Sequence, residues 1–145
     1  MEAKEKEKES EILKTVREGV VKAVDKGEDL TERVFEITRD AVKKALEDAE
    51  VTSERVQSAA KHAMEGAIEG ARKAEVEAAE VSKSAAEGIL DGTLEAGIKA
   101  TDLLERAAEA TLDAAKDAGD KAVDLVKEAV KEIGEAIRGV LTKKE

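Results

Sequence analysis

The feature that most constrains this chain is an eleven-residue repeat running without insertion from Ile12 to Lys143, twelve units in all, in a sequence that contains no proline. The first position of the unit is apolar in eleven units, Thr111 being the exception, and the third is acidic in ten, Lys14 and Ser58 departing. The eighth is Ala in eight units, from Ala41 and Ala63 to Ala118 and Ala129, and the sixth is Lys or Arg in eight, from Arg17 and Arg39 to Arg138. Eleven residues over three turns give about 3.67 per turn, so a strict repeat keeps one face along an almost straight helix. Positions four, eight, one, five, nine and two then fall side by side over an arc of about 160°, and these are the positions filled mainly by Ala, Val, Leu and Ile, with Phe35 and Met64 among them. The other five positions form a polar face with acids in the middle and bases at both edges, where Lys and Arg stems can lie over apolar surface. Acid and base also stand three apart along the helix, as in Asp113 and Lys116, Asp124 and Lys127, and Glu135 and Arg138, each pair worth ~0.2–0.5 kcal/mol in an isolated helix.

Propensity and period agree on helix, since Ala, Glu and Lys dominate. Breaks have to be read from glycines and caps. Lys26-Gly27-Glu28-Asp29 interrupts the apolar face, and Asp29 followed by Glu32 resembles a capping box. Thr52 or Ser53 is the next N-cap, and Gly88 and Gly92, flanking Ile89, Leu90 and Asp91, mark a turn or a loosened stretch. The sequence therefore predicts helices near residues 5–26, 30–49, 53–88 and 93–141, the last about 74 Å long at ~1.5 Å per residue. The expected fold is all-α: an elongated amphipathic bundle of about four helices with a long C-terminal one. Residues 1–11 form a charged extension of the first helix and 12–143 a single repeat domain.

Composition excludes several kinds of chemistry. There is no Cys, Trp or Tyr, and His62 and Phe35 are the only residues of their types, so thiolate sites, multi-histidine metal sites and most catalytic triads are out of reach. A di-iron site in a bundle needs Glu-x-x-His on two helices, and Ser58 and Ala59 stand four and three positions before His62. No catalytic, cofactor-binding or metal-ligating residue is expected, and the chain reads as a non-enzyme. Twenty-five Lys and Arg against 35 Asp and Glu leave a net charge of -10, which repels nucleic acid. No apolar run approaches the ~20 residues of a transmembrane helix or the apolar segment of a signal peptide, so a cytoplasmic location is expected.

His62 falls on the polar face and reads as solvent-exposed, whereas Met64 and Phe35 fall in apolar positions and read as core. Gly19, Gly66, Gly70, Gly92, Gly97 and Gly119 serve either close helix approach or local loosening. The units from Val56 to Gly88 carry little besides Ala, so that segment is expected to be the least stable.

TLDAAKDAGDK (Thr111 to Lys121) and AVDLVKEAVKE (Ala122 to Glu132) resemble, in composition and phase, the eleven-residue motif of group 3 late embryogenesis abundant proteins, with Asp113, Lys116, Asp117 and Asp120 falling on it. The resemblance is close over about the last 45 residues. The family's basic eighth position is here Ala118 or Ala129, which widens the apolar face. The resemblance implies a protectant against stress or desiccation that becomes helical as water is lost and shields proteins or membranes. The same stripe, with bases at its edges, is similar to the lipid-surface helices of apolipoproteins and perilipins.

An apolar half-cylinder of this length must be covered by the other helices, by a second copy or partner helix, or by lipid. The expected function is accordingly structural or stress-protective, exerted through the stripe. The alternatives are a lipid-surface or granule coat and a helical interaction module.

Overall fold

The computed structural model describes residues 2–47, 51–98 and 101–143, with side chains described for 11–47, 51–98 and 101–135. All secondary structure among them is helical: α1 (Glu2–Asp25), α2 (Leu30–Glu47), α3 (Ser53–Lys73), α4 (Ala78–Glu95), α5 (Thr101–Ala115), a 3-10 turn (Lys116–Ala118) and α6 (Asp120–Lys143). None of the helices, among the described residues, is long and apolar enough to cross a membrane.

Each helix packs chiefly on the helix two places away. α3 lies between α1 and α5, and α4 lies between α2 and α6, so three hairpins stack into an odd layer and an even layer. Burial follows this order. The outer helices bury one row of side chains, as α2 does with Val34, Thr38, Val42 and Leu46 and α6 with Ala122, Val126 and Ala129. The central helices bury a wide arc: α3 encloses Val56, Ala63, Met64, Ala67 and Ile68, and α4 encloses Val81, Ala85, Ala86, Ile89 and Leu90. The Ala-rich stretch from Val56 onward therefore occupies the middle of the molecule, because small side chains let helices approach from both sides.

Two glycine pairs set the closest approaches. A Cβ at Gly66 would lie 2.5 Å from the Leu13 carbonyl oxygen and one at Gly70 2.9 Å from that of Arg17. Twenty-two residues further on, in the even layer, a Cβ at Gly88 would lie 2.5 Å from the Phe35 carbonyl oxygen and one at Gly92 2.5 Å from that of Arg39. Both pairs advance together with their partners, so α1 runs parallel to α3 and α2 to α4. Ion pairs across the same contacts join Arg17 to Glu69 at 3.5 Å and Arg39 to Glu95 at 3.6 Å.

Three helices end in the same hydrogen-bonded turn, in which the last amides reach back to carbonyls of the final helical turn. Gly27 and Glu28 donate to Val24 and Ala23, Glu75 and Val76 to Arg72 and Ala71, and Gly97 and Ile98 to Leu94 and Thr93. The turn residue has positive φ each time: 67° at Gly27, 59° at Glu75 and 93° at Gly97. The caps expected from sequence are present. Thr52 Oγ1 accepts from the Arg55 amide at 3.2 Å, and an Asp29 carboxylate oxygen accepts from the Glu32 amide at 3.4 Å. The expected Asp113–Lys116 ion pair is also made, at 3.1 Å.

The four-helix expectation is corrected to six α-helices among the described residues. The helix expected over 53–88 breaks at Ala74 to Glu77, and that over 93–141 breaks at Ala96 and Gly97 and again before Gly119, so there is no long C-terminal helix. Gly88 and Gly92 are not a turn but lie inside α4, where their missing side chains admit α2. The expected end of the second helix at residue 49 lies outside the described residues, as do the side chains of residues 1–10.

Candidate functional site: an acid-rimmed groove in the even layer

Gly88 and Gly92 draw α2 and α4 together, and side chains flanking that seam line a shallow depression together with residues of α6. The groove, of about 190 Å3, is lined by Phe35 of α2, Glu87, Asp91 and Leu94 of α4, and Glu132 and Ile133 of α6. Its floor is apolar and its rim is acidic. Glu87 and Asp91 stand four apart on α4 and so one above the other, with Glu132 across from them. Phe35, expected in the core, is half-buried, and its ring carries the Arg39 guanidinium 5.5 Å from its centroid. Arg39 is in turn held by Asp40 at 3.2 Å as well as by Glu95.

Burial raises the Glu87 carboxyl above its ordinary value; Lys83 opposes the rise and Glu132 adds to it. Burial likewise raises Asp91, with the charge of Glu95 adding and that of Arg39 opposing. A carboxyl raised in the folded state takes up its proton before the unfolded chain does, so these two groups favour folding as pH falls and oppose it once ionised. The melting temperature is therefore expected to rise as pH falls from neutrality through the raised values, and the double substitution Glu87→Gln with Asp91→Asn is expected to flatten that rise. A pH series of thermal melts checks it; an unchanged slope in the double variant contradicts the assignment.

Met64 is fully buried, as expected. His62 is half-buried rather than solvent-exposed, with Nδ1 2.7 Å from the Ser58 carbonyl oxygen and 3.3 Å from Ser58 Oγ. Among the described residues no three His, Cys, Asp or Glu are grouped so as to hold a metal ion. The groove acids all fall at polar-face positions of the repeat. The available signal was the repeated acid-glycine step, Glu87-Gly88 and Asp91-Gly92, which places carboxylates beside a close helix approach and which the odd layer shares at Glu65-Gly66 and Glu69-Gly70. The chain matches no protein-family model, no curated protein and no solved structure.

Proposed function

We propose that this is a non-catalytic helical scaffold that acts through its surface, as an interaction module. One observation carries the reading: the centre of the apolar stripe is buried where the chain packs on itself. At eleven-residue steps from Val16 through Thr38, Ala60, Ala71, Ser82, Thr93, Leu104 and Ala115 to Val126 the residues are buried, Gly27 in its turn being the exposed member among those described. This supports the eleven-residue repeat as the building unit, with two units per helix. With the centre of the stripe covered, its half-buried edge at Phe35 and Ile133, together with Leu94, floors a groove that is a concave apolar feature offered to a partner.

A second reading, favoured by the repeat and its resemblance to the late embryogenesis abundant motif, is stress protection by the same stripe after the helices separate onto a protein or lipid surface. Far-UV circular dichroism in dilute buffer, without and with neutral and anionic vesicles, divides the two. The scaffold reading expects full helicity without lipid and no gain with it. A large gain of helix on vesicles overturns it in favour of the surface-coat and protective readings.

A further inference from the structure

We propose that the groove between α2, α4 and α6 docks a cationic amphipathic helix of a partner protein, whose apolar side chain seats on Phe35, Leu94 and Ile133 while its bases meet Glu87, Asp91 and Glu132. The inference rests on the interaction-module reading and supplies the chemistry of the partner.

Size argues for a side chain rather than a small molecule. Ligand pockets run from ~300 Å3 upward, whereas about 190 Å3 with an open mouth suits one anchoring side chain of the kind that dominates helix-in-groove contacts. Charge argues for a base. The glycine pairs and their arginines superimpose in sequence by a shift of 22 residues, Gly66 onto Gly88, Gly70 onto Gly92 and Arg17 onto Arg39, so each layer provides an internal control for the other. Under that shift Arg72 corresponds to Leu94, Lys73 to Glu95 and Ala110 to Glu132. The odd layer thus carries two cations, Arg72 and Lys73, one turn beyond Glu69 in sequence, where the even layer has Leu94 and Glu95. The even layer supplies an apolar floor and two further acids, leaving Glu87 and Asp91 partly desolvated, with Lys83 opposing the rise at the first and Arg39 at the second. A partner's Lys or Arg, one turn apart beside an apolar residue, restores the missing cations, and partial desolvation strengthens that pairing over a fully exposed one.

The test is fluorescence anisotropy of the full chain titrated into a labelled helical peptide with leucines along one face and lysines beside them, compared with the same peptide bearing glutamates. The lysine peptide is expected to bind, more weakly at high salt, and the glutamate peptide is not. The triple variant Glu87→Gln, Asp91→Asn, Glu132→Gln is expected to weaken binding on the order of tenfold with unchanged helicity. Leu94→Arg, which installs the odd layer's residue, is expected to abolish binding. Equal binding of both peptides, or wild-type binding by the triple variant, overturns the proposal. So does self-association of the chain that Leu94→Arg abolishes, because the groove then belongs to a second copy. A well-folded chain that binds neither peptide overturns this inference while leaving the scaffold reading standing; helix gained only on vesicles removes the scaffold reading itself.

Discussion

Alanine at Gly88 or Gly92 is expected to destabilise the protein by roughly 1–3 kcal/mol, although alanine is the better helix former. A methyl at Gly88 would sit 2.0 Å from Thr38 Oγ1 and 2.5 Å from the Phe35 carbonyl oxygen. Thr38 cannot swing aside, since it is fully buried and its hydroxyl donates to the Val34 carbonyl at 2.8 Å. At Gly92 the obstacle is the Arg39 backbone itself, 2.5 Å away. Either substitution must push α2 off α4, and the pair together act on one interface, so their effects will not add. The control is Gly134→Ala in α6, where nothing lies within 4 Å of the new methyl and a gain of ~1 kcal/mol is expected. Thermal melts of the three variants check the sign: a Gly88→Ala protein as stable as wild type would remove the close α2 to α4 contact.

Lysine at Val126 is expected to cost roughly 4 kcal/mol or more, a large part of the stability of an ordinary domain. Val126 is fully buried, and so are Ala122 and Ala129 one turn to either side, which leaves the ammonium no apolar path along which to reach water. Leu125→Lys, one residue away, is expected to cost less than about 1 kcal/mol because Leu125 is only half-buried and its stem can extend outward. Denaturant unfolding of the two variants measures the difference. Equal losses would mean that α6 is rotated from the face described.

That contrast marks how far sequence reaches. The repeat showed which arc of each helix is apolar, and Gly27, Asp29 and Thr52 marked real helix ends through ordinary cap chemistry. It missed the end of α3, because the residue with positive φ there is Glu75 and neither glycine nor proline signals it. It misplaced a helix break at Gly88 and left Gly92 between a break and a close approach, because a glycine that admits a neighbouring helix and one that ends a helix look alike until the neighbour is known. Hydropathy also passed over Thr38, Ser82, Thr93 and Thr111, which are buried with their hydroxyls donating to the carbonyl four residues back. The groove was hidden for a related reason. Phe35, Asp91 and Glu132 are far apart in the chain, and only the packing of each helix on the one two places away brings them to one rim.

The most direct measurement is native-state amide hydrogen exchange on the full chain in dilute buffer, because the stacked-hairpin account ranks the helices by position. The slowest amides are expected in the centres of α3 and α4, around Met64, Ile68, Ile89 and Leu90, whose side chains are enclosed by helices on both sides, with faster exchange in α1 and α6. Uniformly fast exchange along the chain, or greatest protection at the outer helices, would contradict a preformed stack with its stripe folded inside.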